Sequence, residues 1–343
     1  MCQDASRDPL PNPSRQVLRD WRVRLGWRPS GGVAGIIPIE SRGASRPRMR
    51  QATKQHLSPK ELGKAVGVSE STLKRWADEG EIRVYRTAGG HRRIDLSEAV
   101  RFIRKTGMPV REPRLLGLSA LDGPFDPVNY PADAAKLMRA ALEEGDTSRF
   151  RAMLVSTYLA GRSVAEVCDG PIAEAMHAIG EFWQHRNDGI LIEHRATDTC
   201  IAALNQLRSL LVRPDPGAPR AIGGAFSNDP YLVPSLMAAT VLSSEGWDAT
   251  NLGPETPVDV LVGAVEQLDV RLVWLSVSVE RKSVHLHEDL NDLADRLQHR
   301  SDVSIAVGGR VLPQPLKIRR PNLQEVRSMT ELVAFTRGLR AKA

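Results

Sequence analysis

Beyond residue 220, short apolar runs alternate with stretches of helical periodicity, and no other feature of the chain restricts its fold as tightly. Ala221–Phe226, Asp248–Leu252, Leu272–Val277 and Val303–Val307 read as strands. Pro234–Ser244, Val258–Leu268, Leu290–Gln298 and Glu331–Arg340 read as helices between and after them. Strand and helix units joined by a few residues each imply a parallel sheet with right-handed crossovers. The pattern predicts a Rossmann-like α/β domain over 220–343. In such a sheet, ligands sit beyond the carboxyl ends of the strands.

Upstream, Pro214-Asp-Pro-Gly-Ala-Pro219 is a linker, and 131–213 reads as helical. Ser163 and Glu166 form a capping box. Ile172, Ala175, Met176, Ile179 and Phe182 follow the spacing of a buried helix face, and His194, Thr197, Ile201, Leu204 and Leu211 supply another stripe. Four helices of this length predict a small bundle. Prolines at 113, 124, 127 and 131 mark 111–130 as a linker.

The block 51–110 is different in character. Ser58-Pro59-Lys60-Glu61 is a helix start with capping box and N1 proline, and Gly67 stops that helix. A second helix through Leu73 and Trp76 follows at once, giving a helix-turn-helix. Asp95-Leu-Ser-Glu98 reads as a further capping box. Ser69, Ser71, Thr72, Lys74 and Arg75 on the second helix suit base-edge and phosphate contacts in a major groove. Arg86, Thr87, His91, Arg92 and Arg93 flank a Gly89-Gly90 tip, the sequence form of a charged wing beside a recognition helix.

Charge agrees with this division. Residues 1–113 hold 23 lysines and arginines against 12 acids, whereas the remainder holds 24 against 29. A basic front on a mildly acidic body points to a nucleic-acid-binding module joined to a module of another kind. Residues 1–50, with ten arginines and little periodicity, read as a disordered basic arm. With 41% apolar residues the chain has enough material for ordinary cores. No stretch of 18 apolar residues predicts a membrane span, and the start of the chain lacks an export signal, so a cytoplasmic protein is expected. Cys2, Cys168 and Cys200 form neither a disulfide framework nor a zinc pattern, and Cys200 reads as a core residue.

The run Arg86-Thr-Ala-Gly-Gly-His-Arg-Arg-Ile94 closely resembles the wing of the MerR family of winged helix-turn-helix regulators. The resemblance implies double-stranded operator DNA as a partner, bound by a homo-oligomer (dimer or tetramer). The long coiled-coil helix of typical MerR activators is absent after Lys105. In the body, Trp183 is followed after nine residues by Glu193-His194, and a helical hairpin would bring all three to one end of the bundle. With the α/β domain behind it, the chain from about 56 to 343 resembles the CarH/LitR/CarA group of light-responsive repressors. That resemblance implies that Trp183, Glu193 and His194 lie over the upper face of adenosylcobalamin.

It also implies a site on the α/β domain made by Asp229, Tyr231, Ser276, Ser278, Gly308 and Gly309. Here the chain departs from the pattern. Where the group carries the histidine that replaces the nucleotide base beneath cobalt, this chain has Tyr231, and Pro234 stands in place of a glycine. A neutral imidazole is a good cobalt ligand and a protonated phenol a poor one. Gln184 replaces a second histidine, with His185 one residue later. His285 and His287 form a lone His-x-His that reads as surface. The expectation is a non-enzymatic, DNA-binding transcriptional repressor that senses light or a ligand through cobalamin or another tetrapyrrole. The alternative is a regulator of the same fold that has lost cobalamin and takes a bilin, a haem or a partner protein.

Overall fold

The computed structural model describes residues 56–116, 133–185, 188–280, 283–313 and 315–340, without the side chains of 182–185, 283 and 284. The arm 1–50 and most of the segment expected as a linker, 117–130, lie outside the described residues.

The head starts with the short strand β1 (His56–Leu57) and helix α1 (Pro59–Val66). Ser58 and Glu61 form the expected capping box, and Gly67 closes the helix at φ 80°. A side chain at Gly63, inside α1, would bring its Cβ within 2.7 Å of the Val68 carbonyl, which explains glycine where the turn folds back on the helix. Helix α2 (Glu70–Asp78) follows, then the hairpin β2 (Tyr85–Arg86) and β3 (Arg92–Asp95), and helix α3 (Leu96–Thr106). The three strands pair antiparallel in the order β1-β3-β2.

The capping box expected at Asp95–Glu98 does not form. Asp95 makes no side-chain cap to its own helix, because its carboxylate bonds His56 Nδ1 at 2.7 Å across the β1–β3 pair. Glu98 instead turns into the head, accepting from Arg83 N at 2.8 Å and from Arg101 Nε and Nη2 at 2.7 and 2.6 Å. Residues 111–116, expected within the linker, are also ordered. Arg111 N bonds the Ala65 carbonyl at 2.7 Å, and Pro113–Leu116 is a 3-10 turn that buries Leu116 in the head's core.

The bundle comprises α4 (Ala134–Glu144), α5 (Thr147–Leu159), a short α6 (Val164–Val167), α7 (Ala173–His185) and α8 (Gly189–Leu210). A π-helical turn, Cys168–Ile172, joins α6 to α7 around Pro171, which has no N–H for the regular ladder. The α/β domain contains β4 (Arg220–Phe226), α9 (Val233–Ser244), β5 (Asp248–Thr256), α10 (Val258–Gln267), β6 (Val270–Ser276), α11 (Ser283–Arg296), β7 (Ser304–Gly308), β8 (Leu323–Glu325) and α12 (Met329–Arg340). Its five strands are parallel in the order β5-β4-β6-β7-β8, so the direction of winding reverses between β4 and β6. Helix α11 begins seven residues before the expected Leu290, and β8 was not expected at all.

Two contacts seat the bundle on the carboxyl ends of this sheet. Asp169, in the π turn, accepts from Met329 N (2.7 Å), Thr330 N (2.9 Å) and Thr330 Oγ1 (2.7 Å), capping α12 where the chain leaves β8. Arg310, directly after β7, donates to His177 Nδ1 on α7 at 2.6 Å. One apolar core runs through both parts, joining Phe150, Leu154, Cys200 and Leu204 to Val233, Leu236 and Met237 of α9.

Candidate DNA-binding face and effector site

On the head, Ser69 is the N-cap of α2. Its hydroxyl accepts from Thr72 N at 3.1 Å and lies 2.8 and 2.7 Å from the hydroxyls of Ser71 and Thr72. Ser69, Ser71, Lys74 and Arg75 are exposed, while Leu73 packs inward with no exposure. Lys74 and Arg75 pair along the helix with Glu70 and Glu79 at 2.8 and 3.7 Å, leaving both cations on the open face. At the wing, Thr87 N bonds the His91 carbonyl at 2.9 Å, and Gly90 takes φ 77° at the tip. Arg86 and His91 project from it, exposed.

Arg92 and Arg93 are held closer to the head than Arg86 and His91. The Arg92 side chain is only 18% exposed. It donates to Asp78 at 2.5 Å and to the Lys74 carbonyl at 3.0 Å, so it clips the wing to the end of α2. Arg93 is half-buried and donates to the Arg92 carbonyl at 3.3 Å.

In the body, α7 and α8 form a hairpin, so Trp183 and the Glu193-His194 pair belong to one end of the bundle; the side chains of Trp183, Gln184 and His185 lie outside the described residues. Thr197 Oγ1 donates to Glu193 at 3.1 Å, fixing a carboxylate that is 25% exposed, and His194 is 75% exposed at 3.5 Å from it. Ile190 and Leu191, beside them, are 62% and 65% exposed. Arg208 near the other end of α8 donates to the Ala249 carbonyl at the start of β5. Fifteen residues of helix place Glu193 about 22 Å from Arg208 along the axis.

The carboxyl ends of the strands are tied to one another. Asp229, 1% exposed, accepts from Tyr231 N at 3.2 Å and from Ser278 N at 2.6 Å, holding the loops after β4 and β6 together. Asn228 and Glu255 both adopt positive φ (67° and 55°) and join β4 to β5 through Asn228 N and the Glu255 carboxylate at 2.6 Å. Two such non-glycine residues side by side put strain into the backbone at this end of the sheet. Val277 N bonds the Gly308 carbonyl at 2.8 Å, and a Cβ on Gly309 would lie 2.1 Å from the Val277 carbonyl. Ser276 Oγ reaches the Gly224 carbonyl at 3.4 Å. All six residues expected on this domain therefore gather at the β4/β6 switch point or one strand away. Cys200 is fully buried and its thiol is pushed up to about 12 by burial, as suits a core residue. His287 departs from its surface assignment: its Nε2 is buried and lacks a partner among the described residues.

The comparisons divide the chain in the same way. Residues 58–94 match the model of the MerR family regulatory protein, and residues 134–208 match the B12 binding domain. Over 288 residues the chain is 27% identical to the HTH-type transcriptional repressor CarA of Myxococcus xanthus, covering 81% of this chain and 96% of CarA. Most of the chain is thus similar to a MerR-type transcriptional repressor. Among solved structures, the monomethylamine corrinoid protein of Methanosarcina barkeri is 15% identical at a TM-score of 0.44, covering 58% of this chain and 94% of its own. A cobalamin-binding protein of Desulfitobacterium hafniense DCB-2 is 17% identical at 0.32, covering 61% and 99%.

Whether the chain suits a corrinoid whose lower ligand comes from the protein is a question for its own residues. By the resemblance, that mode calls for a nitrogen ligand at position 231. Position 231 carries a phenol, 48% exposed. At the switch point, a Cβ on Gly223 would stand 2.3 Å from Cδ2 of Trp274, so the indole already lies against the glycine. The residues do not fit that mode. Asp169, His177, Arg310 and Trp274 escaped the sequence reading, because each acts through a partner distant in the chain.

Proposed function

We propose that the chain is a transcriptional repressor whose head binds operator DNA and whose bundle and α/β domain together form an effector module. The observation that carries this reading is the placement of two open faces on one body. The serine-rich start of α2 and the wing tip are exposed on the head. The Glu193-His194 end of the bundle belongs to a body seated on the carboxyl ends of a switch-point sheet, where α/β domains hold ligands.

The effector is a flat tetrapyrrole, adenosylcobalamin foremost, and it acts by differential affinity for DNA-competent and incompetent assemblies of the chain. Light is the signal that discharges it, and the module performs no catalysis. Tyr231 in place of a nitrogen ligand favours a second reading, in which a bilin or haem takes the same place.

The test is a titration of operator DNA with the full chain, purified in darkness with and without adenosylcobalamin, repeated after green light. Retention of the pigment with a change of oligomeric state and DNA affinity on illumination supports the reading. No retained chromophore and unaltered DNA affinity refute the ligand assignment, and a retained pigment absorbing in the red selects the bilin.

A further inference from the structure

We propose that the amino-terminal end of the sheet carries a binding site for a small organic anion, one bearing a carboxylate or a phosphate. The proposal is independent of the tetrapyrrole reading. The end of α8, the turn that follows it and the start of β5 line an open cleft of about 360 Å³, with Asn205, Arg208, Arg213, Ser243, Trp247 and Asp248 in its wall. That volume lies at the lower end of the range for small-molecule sites, about 300–1,000 Å³. Because the strands run parallel, this cleft stands at the other end of the sheet from Asp229 and Ser278.

Arg208 carries the argument. Among the described residues its side chain makes a single hydrogen bond, from Nη2 to the Ala249 carbonyl at 3.0 Å, and no ion pair. Burial lowers its value, and no acid raises it back. A guanidinium has five N–H donors, and one drawn out of water is ordinarily matched by a carboxylate or a phosphate. Asp248 stands in the same wall, but Arg220 engages its carboxylate at 3.5 Å. Arg213 adds a second cation, exposed and without an ion pair among the described residues. The carboxyl ends of α8 and α9 both border the cleft, and each brings about half a negative charge. Two guanidiniums exceed these helix ends by about one positive charge, which one bound anion balances. Asn205 and Ser243 set an amide and a hydroxyl beside the cations. Trp247, 1% exposed, has an Nε1 without a partner among the described residues, and a buried donor in that condition calls for an acceptor. Since Arg208 already holds α8 to β5, an anion on its unused N–H groups ties the bundle more firmly to the sheet.

The experiment titrates the full chain, at constant ionic strength, with inorganic phosphate, glycerol 3-phosphate, acetate and succinate, and with sodium chloride and glycerol as controls. Isothermal calorimetry and the thermal midpoint are the readouts. The expected result is saturable binding of a phosphate or a carboxylate at one site per chain, with a raised midpoint that neither control reproduces; the series that binds identifies the anionic group. Arg213→Gln removes an exposed side chain, so the midpoint of the free protein should stay unchanged while binding weakens about tenfold or more, as for the loss of one charge-assisted hydrogen bond. Arg208→Lys keeps the charge but loses the planar fork and should weaken binding as well. Absence of saturable binding by all four anions overturns the proposal. So does binding that Arg213→Gln and Arg208→Lys leave unaltered, because the anion then sits elsewhere on the chain.

Discussion

Arg86 and Arg92 are both cations of the wing, yet the structure assigns them different work, and salt dependence separates the two. Arg86 is exposed at the end of β2 and is free to meet a phosphate. Each phosphate neutralised contributes about −0.9 to the slope of log affinity against log salt. If Arg86 contacts one phosphate, Arg86→Ala should therefore flatten that slope by about 0.9. Raising salt from about 50 to about 200 mM would then weaken the wild type roughly 3.5-fold more than the variant. Arg92 is directed inward to Asp78 and the Lys74 carbonyl. Because Asp78 is 64% exposed, solvent discounts that pair to about 0.5–1 kcal/mol, which Arg92→Ala removes from the head's stability. Its salt slope should stay within error of wild type, and its affinity should fall only through a looser wing. Fluorescence anisotropy on a labelled operator at several salt concentrations, with a matched nonspecific duplex, measures both slopes. An Arg92→Ala slope that drops as far as that of Arg86→Ala refutes the assignment of Arg92 as an internal clip.

Two further expectations follow from hydrogen-bonded carboxylates. Asp169→Ala removes three hydrogen bonds from the start of α12 and should cost about 1–3 kcal/mol in urea unfolding, with Asp169→Asn costing less because one acceptor survives; an unchanged midpoint would show that the bundle is held to the α/β domain by apolar packing alone. Burial pushes the Glu98 carboxyl up, but the Arg101 guanidinium and the Arg83 N–H outweigh it and hold the group below its ordinary value. A depressed folded value means that the stabilisation is complete above the unfolded carboxyl range, about 4.3, and is lost as pH falls through the folded value. Glu98→Gln should accordingly flatten the acid limb of a stability-against-pH curve, and an identical limb in the variant would contradict the sign.

What was legible in the sequence is what neighbouring residues decide among themselves. Ser58 and Glu61 are three apart and announce α1; Gly67 stops it because its φ of 80° suits glycine. The alternation of apolar runs announced the sheet, since β4 and β6 are buried almost throughout. The first turns of α11 were illegible because Ser283–Asp289 offers only Val284 and Leu286 to an apolar stripe. Strand β8, three residues long, exists only through pairing with β7. The site divided along the same line. Asp229, Ser276 and Gly308-Gly309 were readable as motif positions, whereas Asp169 meets its partner 160 residues away and His177 meets Arg310 across 133.

The same long-range order bears on how the two open faces communicate. Helix α5 belongs to two cores at once: Phe150 and Leu154 face the bundle and α9, while Ala152, Val155 and Leu159 pack with Phe102 and Ile103 of the head. At its end, Arg104 of α3 lies 3.7 Å over the Tyr158 ring and donates to the carbonyls of Tyr158 and Arg162, at and just beyond the helix terminus. Burial lowers the Arg104 value and raises that of Tyr158, so this contact is desolvated. Packed interiors switch between discrete arrangements and do not deform continuously. A rearrangement of the bundle against the sheet therefore leaves α5 two options. It moves as a rigid body and carries α3 and the recognition helix with it, or it parts from α3 and exposes Ala152, Val155 and Leu159 to water. Either outcome changes how the head can address DNA.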